Sequence, residues 1–360
     1  MFIKICLLAV MISGSLSLAH GQVEPPKLDP TPSTGQQQLL IREGVVQHDK
    51  RNYDAAIARY EEVLAENPNN VEAIYELSFS YAMKKDYRKS LDYAYKGAMY
   101  KSDMLPGFYL QIGNNLDELG EPKKSIEVYK AGIKLMPRMA LLHYNLGVTY
   151  RDMGKLDDAK KAVKRSLTLN PNHPGSHAVL STLWYATRYK TPSLLATCRF
   201  LVLEPRTDRS TTGLQLMKTV LGGGAQRDGS NQITIFIDTA AKKDEGDFTV
   251  MDFVLGTGGA MAMSEENKGK TEMRLLTERF ERFFGIMSEQ QPKADRNSFT
   301  WKFYAPYFIE LKQKKFVEPF VYYISQADGN EETVKWLAAN KARVGDFLAW
   351  SKLYKWPEEN

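Results

Sequence analysis

"NYDAAIARYEEVLAENPNN", residues 52–70, and "KLDDAKKAVKRSLTLNPNH", residues 155–173, share one layout. Each carries a small residue near its start, Ala56 or Ala159, and a proline near its end, Pro68 or Pro171. Outward from these two segments a fixed period emerges. Small residues stand at Gly44, Ser78, Gly113, Gly147 and Ser181, with spacings of 34, 35, 34 and 34. Twelve residues after each comes another: Ala56, Ser90, Ser125, Ala159 and Ser193. Pro68, Pro137, Pro171 and Pro205 close four of the five units, and Ser102 stands in the remaining one. Two antiparallel helices approach closely only where side chains are small, and proline ends the second helix before the next unit begins. Tyr53, Tyr81, Tyr87, Tyr129 and Tyr150 supply bulk beside the small positions.

Residues 37–207 resemble the tetratricopeptide repeat family in this register. The resemblance implies five helix–turn–helix units, 37–70, 71–104, 106–139, 140–173 and 174–207, stacked as a right-handed superhelix with a concave groove. Such arrays bind peptides or partner proteins and carry no catalytic machinery of their own. Carried over position by position, the groove would present Tyr75 and Phe79, then Asn114, Asp117 and Glu118, then Tyr144, Arg151 and Asp152, and Tyr185. Tyrosines mixed with carboxylates suit an extended segment with apolar and basic side chains. Ile41 and Val45 stand where some family members place a lysine and an asparagine for a terminal carboxylate, so recognition of an acidic chain end is not expected. Packing of Tyr75, Phe79 and Tyr144 against the protein's own tail is the competing reading. Glu43 and Gln47 fall at inward positions that are normally apolar, which predicts a loosely held first helix. Phe200 replaces a small residue, so something other than a sixth standard unit should pack there.

Before the repeats, "MFIKICLLAVMISGSLSLAHGQ" has Lys4 at a positive start, an apolar run from Ile5 to Leu18, and Ala19 and Gly21 spaced as in a cleavage site. The expectation is a signal peptide over 1–21, a mature start at Gln22, and an exported protein of the periplasm, cell surface or extracellular space. Residues 22–36 read as a proline-rich linker. Cleavage leaves Cys198 as the sole thiol, so no intramolecular disulfide supports the mature fold. The net charge of +5 with mixed signs excludes a strong polyanion-binding field, so no nucleic-acid partner is expected. No later segment looks transmembrane.

The search for chemistry gives no site. His173 and His177 are four apart, but Pro174 and Gly175 start a helix between them, which leaves His173 in the preceding turn. "LGTGGAM", residues 255–261, lacks the Lys-Ser/Thr of a phosphate loop and reads as helix packing. "KKAVKR", residues 160–165, reads as a solvated helix face. Glu278 and Glu281 look like the polar edge of a helix. No HExxH, GxSxG, paired CxxC or SxxK motif occurs, so no enzyme, metal or cofactor is expected.

Beyond residue 207 the pattern predicts a capping helix over 208–222, a linker over 223–232 and a helical C-terminal domain over 233–360. That region holds 12 of the 16 phenylalanines and 4 of the 5 tryptophans, enough for a core of its own. Met273, Leu276, Phe280, Phe283 and Met287 form one stripe. "ITIFID", residues 233–238, reads as a strand that needs a partner, either "FTWKF" at 299–303 or a second chain, so homo-oligomer formation stays open. The expected fold is all-α: a repeat solenoid followed by a mostly helical domain with at most one or two short strands. Its expected role is a protein-interaction scaffold of the cell envelope. The alternative is a ligand-binding or enzymatic C-terminal domain, which a polar pocket between tail helices with clustered Asp, Glu or Arg would favour.

Overall fold

The structure is a computed structural model that describes residues 23–222, 225–227, 233–235, 245–262, 264–295 and 297–357. The signal segment 1–21, most of the 223–232 linker and the second half of "ITIFID" lie outside the described residues. The chain divides into two compact units, residues 1–132 and 133–360.

The first unit contains α1 (Gly35–Asp49), α2 (Tyr53–Glu66), α3 (Val71–Met83), α4 (Tyr87–Ala98), α5 (Leu105–Glu118) and most of α6 (Pro122–Leu135). Consecutive helices from α1 to α5 pair, and α1, α3 and α5 also touch in sequence. The small-residue register is the contact itself. A Cβ at Gly113 would come within 2.3 Å of the Tyr129 ring, so only glycine lets α5 and α6 meet. In the second repeat Ser78 and Ser90 solve the same problem by bonding: each hydroxyl donates to the other's backbone carbonyl, at 2.9 and 2.8 Å.

Every turn within a repeat closes alike. Arg51, Lys85, Gly120, Gly154 and Arg188 have φ of 63°, 65°, 76°, 73° and 67°, in the same 34- and 35-residue register. The next N–H reaches back five residues, as from Asp86 to Tyr81 O and from Glu121 to Leu116 O, which satisfies helix-end carbonyls.

Two expectations for this unit change. Glu43 faces solvent and pairs with Arg59, while Leu40, Ile41 and Gly44 are buried. Thr34 and Gln37 form a reciprocal capping box, so α1 is anchored rather than loose. The segment before α1 is extended but docked. Lys27 and Leu28 donate to Met99 O, Lys101 donates to Leu28 O, and Asn67 and Asn70 hold Thr31, Pro32 and Ser33.

The second unit contains α7 (Ala140–Asp152), α8 (Leu156–Leu169), α9 (Pro174–Ala186), α10 (Lys190–Leu203) and α11 (Asp208–Gly222). A hairpin follows, β1 (Ala225–Arg227) antiparallel to β2 (Ile233–Ile235) with Ala225 opposite Ile235. Then come α12 (Thr249–Ala262), α13 (Glu272–Gln290), a π-turn (Thr300–Tyr304) leading into α14 (Ala305–Gln313), α15 (Val317–Ile324), α16 (Glu331–Ala339) and α17 (Lys341–Leu353). The strand partner is therefore β1, and "FTWKF" is helical, a correction to the pairing expected from sequence. Phe200 is buried, and α11 reaches it because position 213 is glycine: a Cβ there would lie 2.8 Å from the Phe200 ring.

"KKAVKR" is not a solvated face. Lys160 is 4% exposed and lies over the Tyr189 ring. Lys164 pairs with the buried Glu245 and lies over the rings of Trp184 and Phe299. The predicted stripe Met273, Leu276, Phe280, Phe283 and Met287 is buried throughout.

The tail closes on the fifth repeat around Arg199, which is 1% exposed. Its guanidinium donates to Tyr307 Oη at 3.1 Å, Ser351 Oγ at 2.8 Å and Asn172 Oδ1 at 2.7 Å. The rings of Tyr307 and Trp356 lie over it, and no carboxylate among the described residues bonds to it. Burial lowers its pKa, and Tyr307 opposes that shift. Asp252 of α12 accepts from the backbone and hydroxyl of Thr191, at 3.2 and 2.7 Å, and so caps α10 from outside.

Candidate functional site

In the first unit the inward residues stand on α3 and α5. Phe79 is 40% exposed and stacks on His48 at 4.8 Å. His48 is half-buried, and its Nδ1 lies 2.8 Å from Ser80 Oγ. Burial holds the His48 pKa below the usual histidine value. Tyr75 is half-buried because its ring seats against Gly107 and edge-on to Phe108 at 5.3 Å. Asn114 is exposed and accepts from Tyr129 Oη at 2.6 Å; Asp117 is half-buried and Glu118 exposed. Sequence reasoning missed Glu76. This half-buried carboxyl has its pKa raised, first by burial and then by the charges of Glu72 and Asp49. Its spacing three residues before Phe79 was the available signal.

In the second unit Tyr144, Arg151 and Asp152 stand on α7 and Tyr185 on α9. Tyr185 is 44% exposed. Tyr144 is half-buried against the edge of His173 at 4.6 Å, and Arg151 Nε donates to Asp152 Oδ1 at 2.8 Å. Among the described residues none after 207 makes a hydrogen bond or ring contact with these four. Arg209 of α11 does lie close enough for its charge to interact with the Tyr144 hydroxyl.

The histidines are committed to structure. His173 caps α9, accepting from Ser176 N at 3.1 Å, as its place before Pro174 predicts. His177 bonds Tyr304 Oη through Nδ1 at 2.7 Å and Pro171 O through Nε2 at 2.9 Å. His143 repeats the second bond, Nε2 to Pro137 O at 3.1 Å. Each imidazole N–H thus ties a helix to the carbonyl of the proline that closed the unit before it. Burial, then the charge of Arg199, drives the His177 pKa down to about 3, so it is neutral at pH 7. The Cys198 thiol is fully buried and its pKa raised, which removes thiolate reactivity.

Tetratricopeptide repeat models match residues 42–103, 106–138 and 140–173. The chain is a tetratricopeptide repeat protein. Its repeats make it a protein-interaction scaffold by fold, and folds of this kind are typically non-enzymatic. Similar solved structures include TTC0263, a tetratricopeptide repeat protein of Thermus thermophilus, at 23% identity, covering 50% of this chain and 98% of that one with a TM-score of 0.44. MamA of Desulfovibrio magneticus is 17% identical over 48% of this chain and 97% of that one, with a TM-score of 0.40. PilF of Pseudomonas aeruginosa is 18% identical over 51% and 88%, with a TM-score of 0.42. Comparison with curated proteins gives no match. Among the described residues of this tetratricopeptide repeat protein, no helix is long and apolar enough to cross a membrane.

Proposed function

We propose that this protein is exported to the cell envelope and that the inner helix faces of its repeats hold an extended partner segment carrying apolar and basic side chains. Each unit contributes its own face: Tyr75, Phe79, Asn114, Asp117 and Glu118 in one, and Tyr144, Arg151, Asp152 and Tyr185 in the other. One observation carries the reading. On α3 the large apolar side chain of Phe79 is exposed, and it shares that helix with Glu76, whose carboxyl is held partly out of water beside two like charges. A basic side chain placed there would relieve the repulsion while an apolar neighbour covers Phe79. The proposed division is five repeats over 37–207, a capping helix over 208–222, a linker over 223–232 and a C-terminal domain over 233–360.

The exposed residues make the cleanest test. Tyr75 and Tyr144 are packed, and Asn114 is bonded to Tyr129, so changing them disturbs the repeat as well as the face. Selection of a random peptide library on the full chain should enrich sequences that combine aromatic or aliphatic residues with Lys or Arg. Phe79→Ser and Tyr185→Ser should each weaken the selected peptides that dock on their own face, with the helical circular dichroism of the folded chain retained. Peptides of mixed composition, or affinities untouched by both substitutions, would reject the reading. A ligand-binding C-terminal domain is the second reading, favoured by a small cationic cavity between its helices.

A further inference from the structure

A cavity of about 140 Å³ lies between the end of α11 and the helices α12 and α13. Its apolar wall is Leu221, Val254, Leu255, Leu275 and Phe283. Three cations, Lys270, Arg279 and Arg282, and two carboxylates, Glu266 and Glu278, also line it. Lys270 is neutralised by Glu278 at 2.7 Å. The two arginines, one turn apart on α13, have no carboxylate partner among the described residues. Arg279 donates to Leu221 O, in the last turn of α11, and Arg282 to Met261 Sδ. Each guanidinium has five N–H donors, so both have donors left for a ligand. Burial alone lowers the Arg279 pKa to about 10, so it remains charged at pH 7 in a place that partly strips its water. Gly258 of α12 faces the Arg279 side chain, with its absent Cβ 3.5 Å from Nε, and leaves the space between the helices open.

We propose that this cavity is a binding site for a small organic carboxylate, its oxygens on Arg279 and Arg282 and its short apolar body against Leu255 and Phe283. Two guanidiniums with no carboxylate bonded to them provide the planar donors that a carboxylate meets in a fork. The apolar residues in the same lining favour a ligand with a hydrocarbon end over a bare inorganic anion. The size agrees, since an apolar cavity of roughly 150 Å³ takes up benzene. This site is independent of the repeat faces.

Titration calorimetry of the full chain with benzoate, benzamide and inorganic phosphate tests it. Benzoate is expected to bind, with benzamide and phosphate each weaker by about tenfold or more. Arg279→Gln should weaken benzoate about tenfold or more. Because Arg279 also caps α11, a second variant keeps both arginines: Gly258→Leu adds a helix-favouring side chain that fills the cavity, and it should abolish binding. Phe79→Ser should leave benzoate binding unchanged whatever it does to peptides. No binding of benzoate, equal binding of benzamide or phosphate, or full affinity in Gly258→Leu would each overturn the proposal.

Discussion

His177 shows what burial does to one titratable side chain. Its folded pKa, about 3, lies below the ordinary histidine value of 6.5. Between those values the unfolded chain binds a proton that the folded chain refuses. Stability present above pH 6.5 therefore falls as the pH drops toward 3, by about 1.4 kcal/mol per unit for this one group. His177→Gln should lose about 1–3 kcal/mol at pH 7, because Pro171 O and Tyr304 lose a partner. It should also flatten the acid limb of a plot of Tm against pH; an unchanged slope would contradict the assignment. Glu76 has the opposite sign. Its folded pKa is raised, so its contribution is complete at low pH and is lost as the pH rises through that value. Glu76→Gln should raise Tm at pH 7 and leave it unchanged at about pH 3.5, where both states already hold the proton. Neither shift was legible in the sequence, because each depends on how much neighbouring helix covers the group.

The helical turn between the two helices of a repeat is the element that recurs most faithfully. Gly120 and Gly154 adopt the left-handed conformation without a Cβ penalty, whereas Arg51, Lys85 and Arg188 carry it at the same register. Lys85→Gly should therefore stabilise by about 1 kcal/mol, and Gly120→Ala should destabilise by a similar amount. Denaturant titration with an unchanged m-value would check both. Helix positions and the repeat register were legible because small residues and prolines act locally and in period. "KKAVKR" was misread because Tyr189, Trp184, Phe299 and Glu245, which bury its lysine stems, lie outside the motif. The partner of "ITIFID" was missed because three residues, "AQR", carry no alternation to recognise. Docking of residues 27–33 rests largely on backbone hydrogen bonds, which leave little trace in side-chain pattern. Among the inward residues, position was inferred by resemblance. Exposure was not, and it separates Phe79 and Tyr185 from the packed Tyr75 and Tyr144.

At the scale of the whole molecule, the second unit joins two repeats to the aromatic-rich tail through a charge. Trp356 stacks on Phe303 at 4.6 Å and on Tyr307 at 5.2 Å, and it covers Arg199. Trp356→Ala should cost the second unit about 2–3 kcal/mol through lost ring contacts and a newly wetted guanidinium. Hydrogen exchange read by mass spectrometry should show the loss in α10 and α14, and protection in α1 to α4 should not change. The aromatic composition of the tail was enough to foresee a core. That this core would receive an arginine from the repeats was not, because Arg199 sits in a helix whose other buried residues are mostly apolar or small.

The same arginine sets an order in time. Arg199 and Ser351 are 152 residues apart. At about 5–20 residues per second, roughly 8–30 s of synthesis separate the appearance of the guanidinium from that of its partner hydroxyl. Throughout that interval a cation destined for burial has no finished pocket. The fifth repeat can form its helices early, but it reaches its final packing only when Ser351 and Trp356 have left the ribosome.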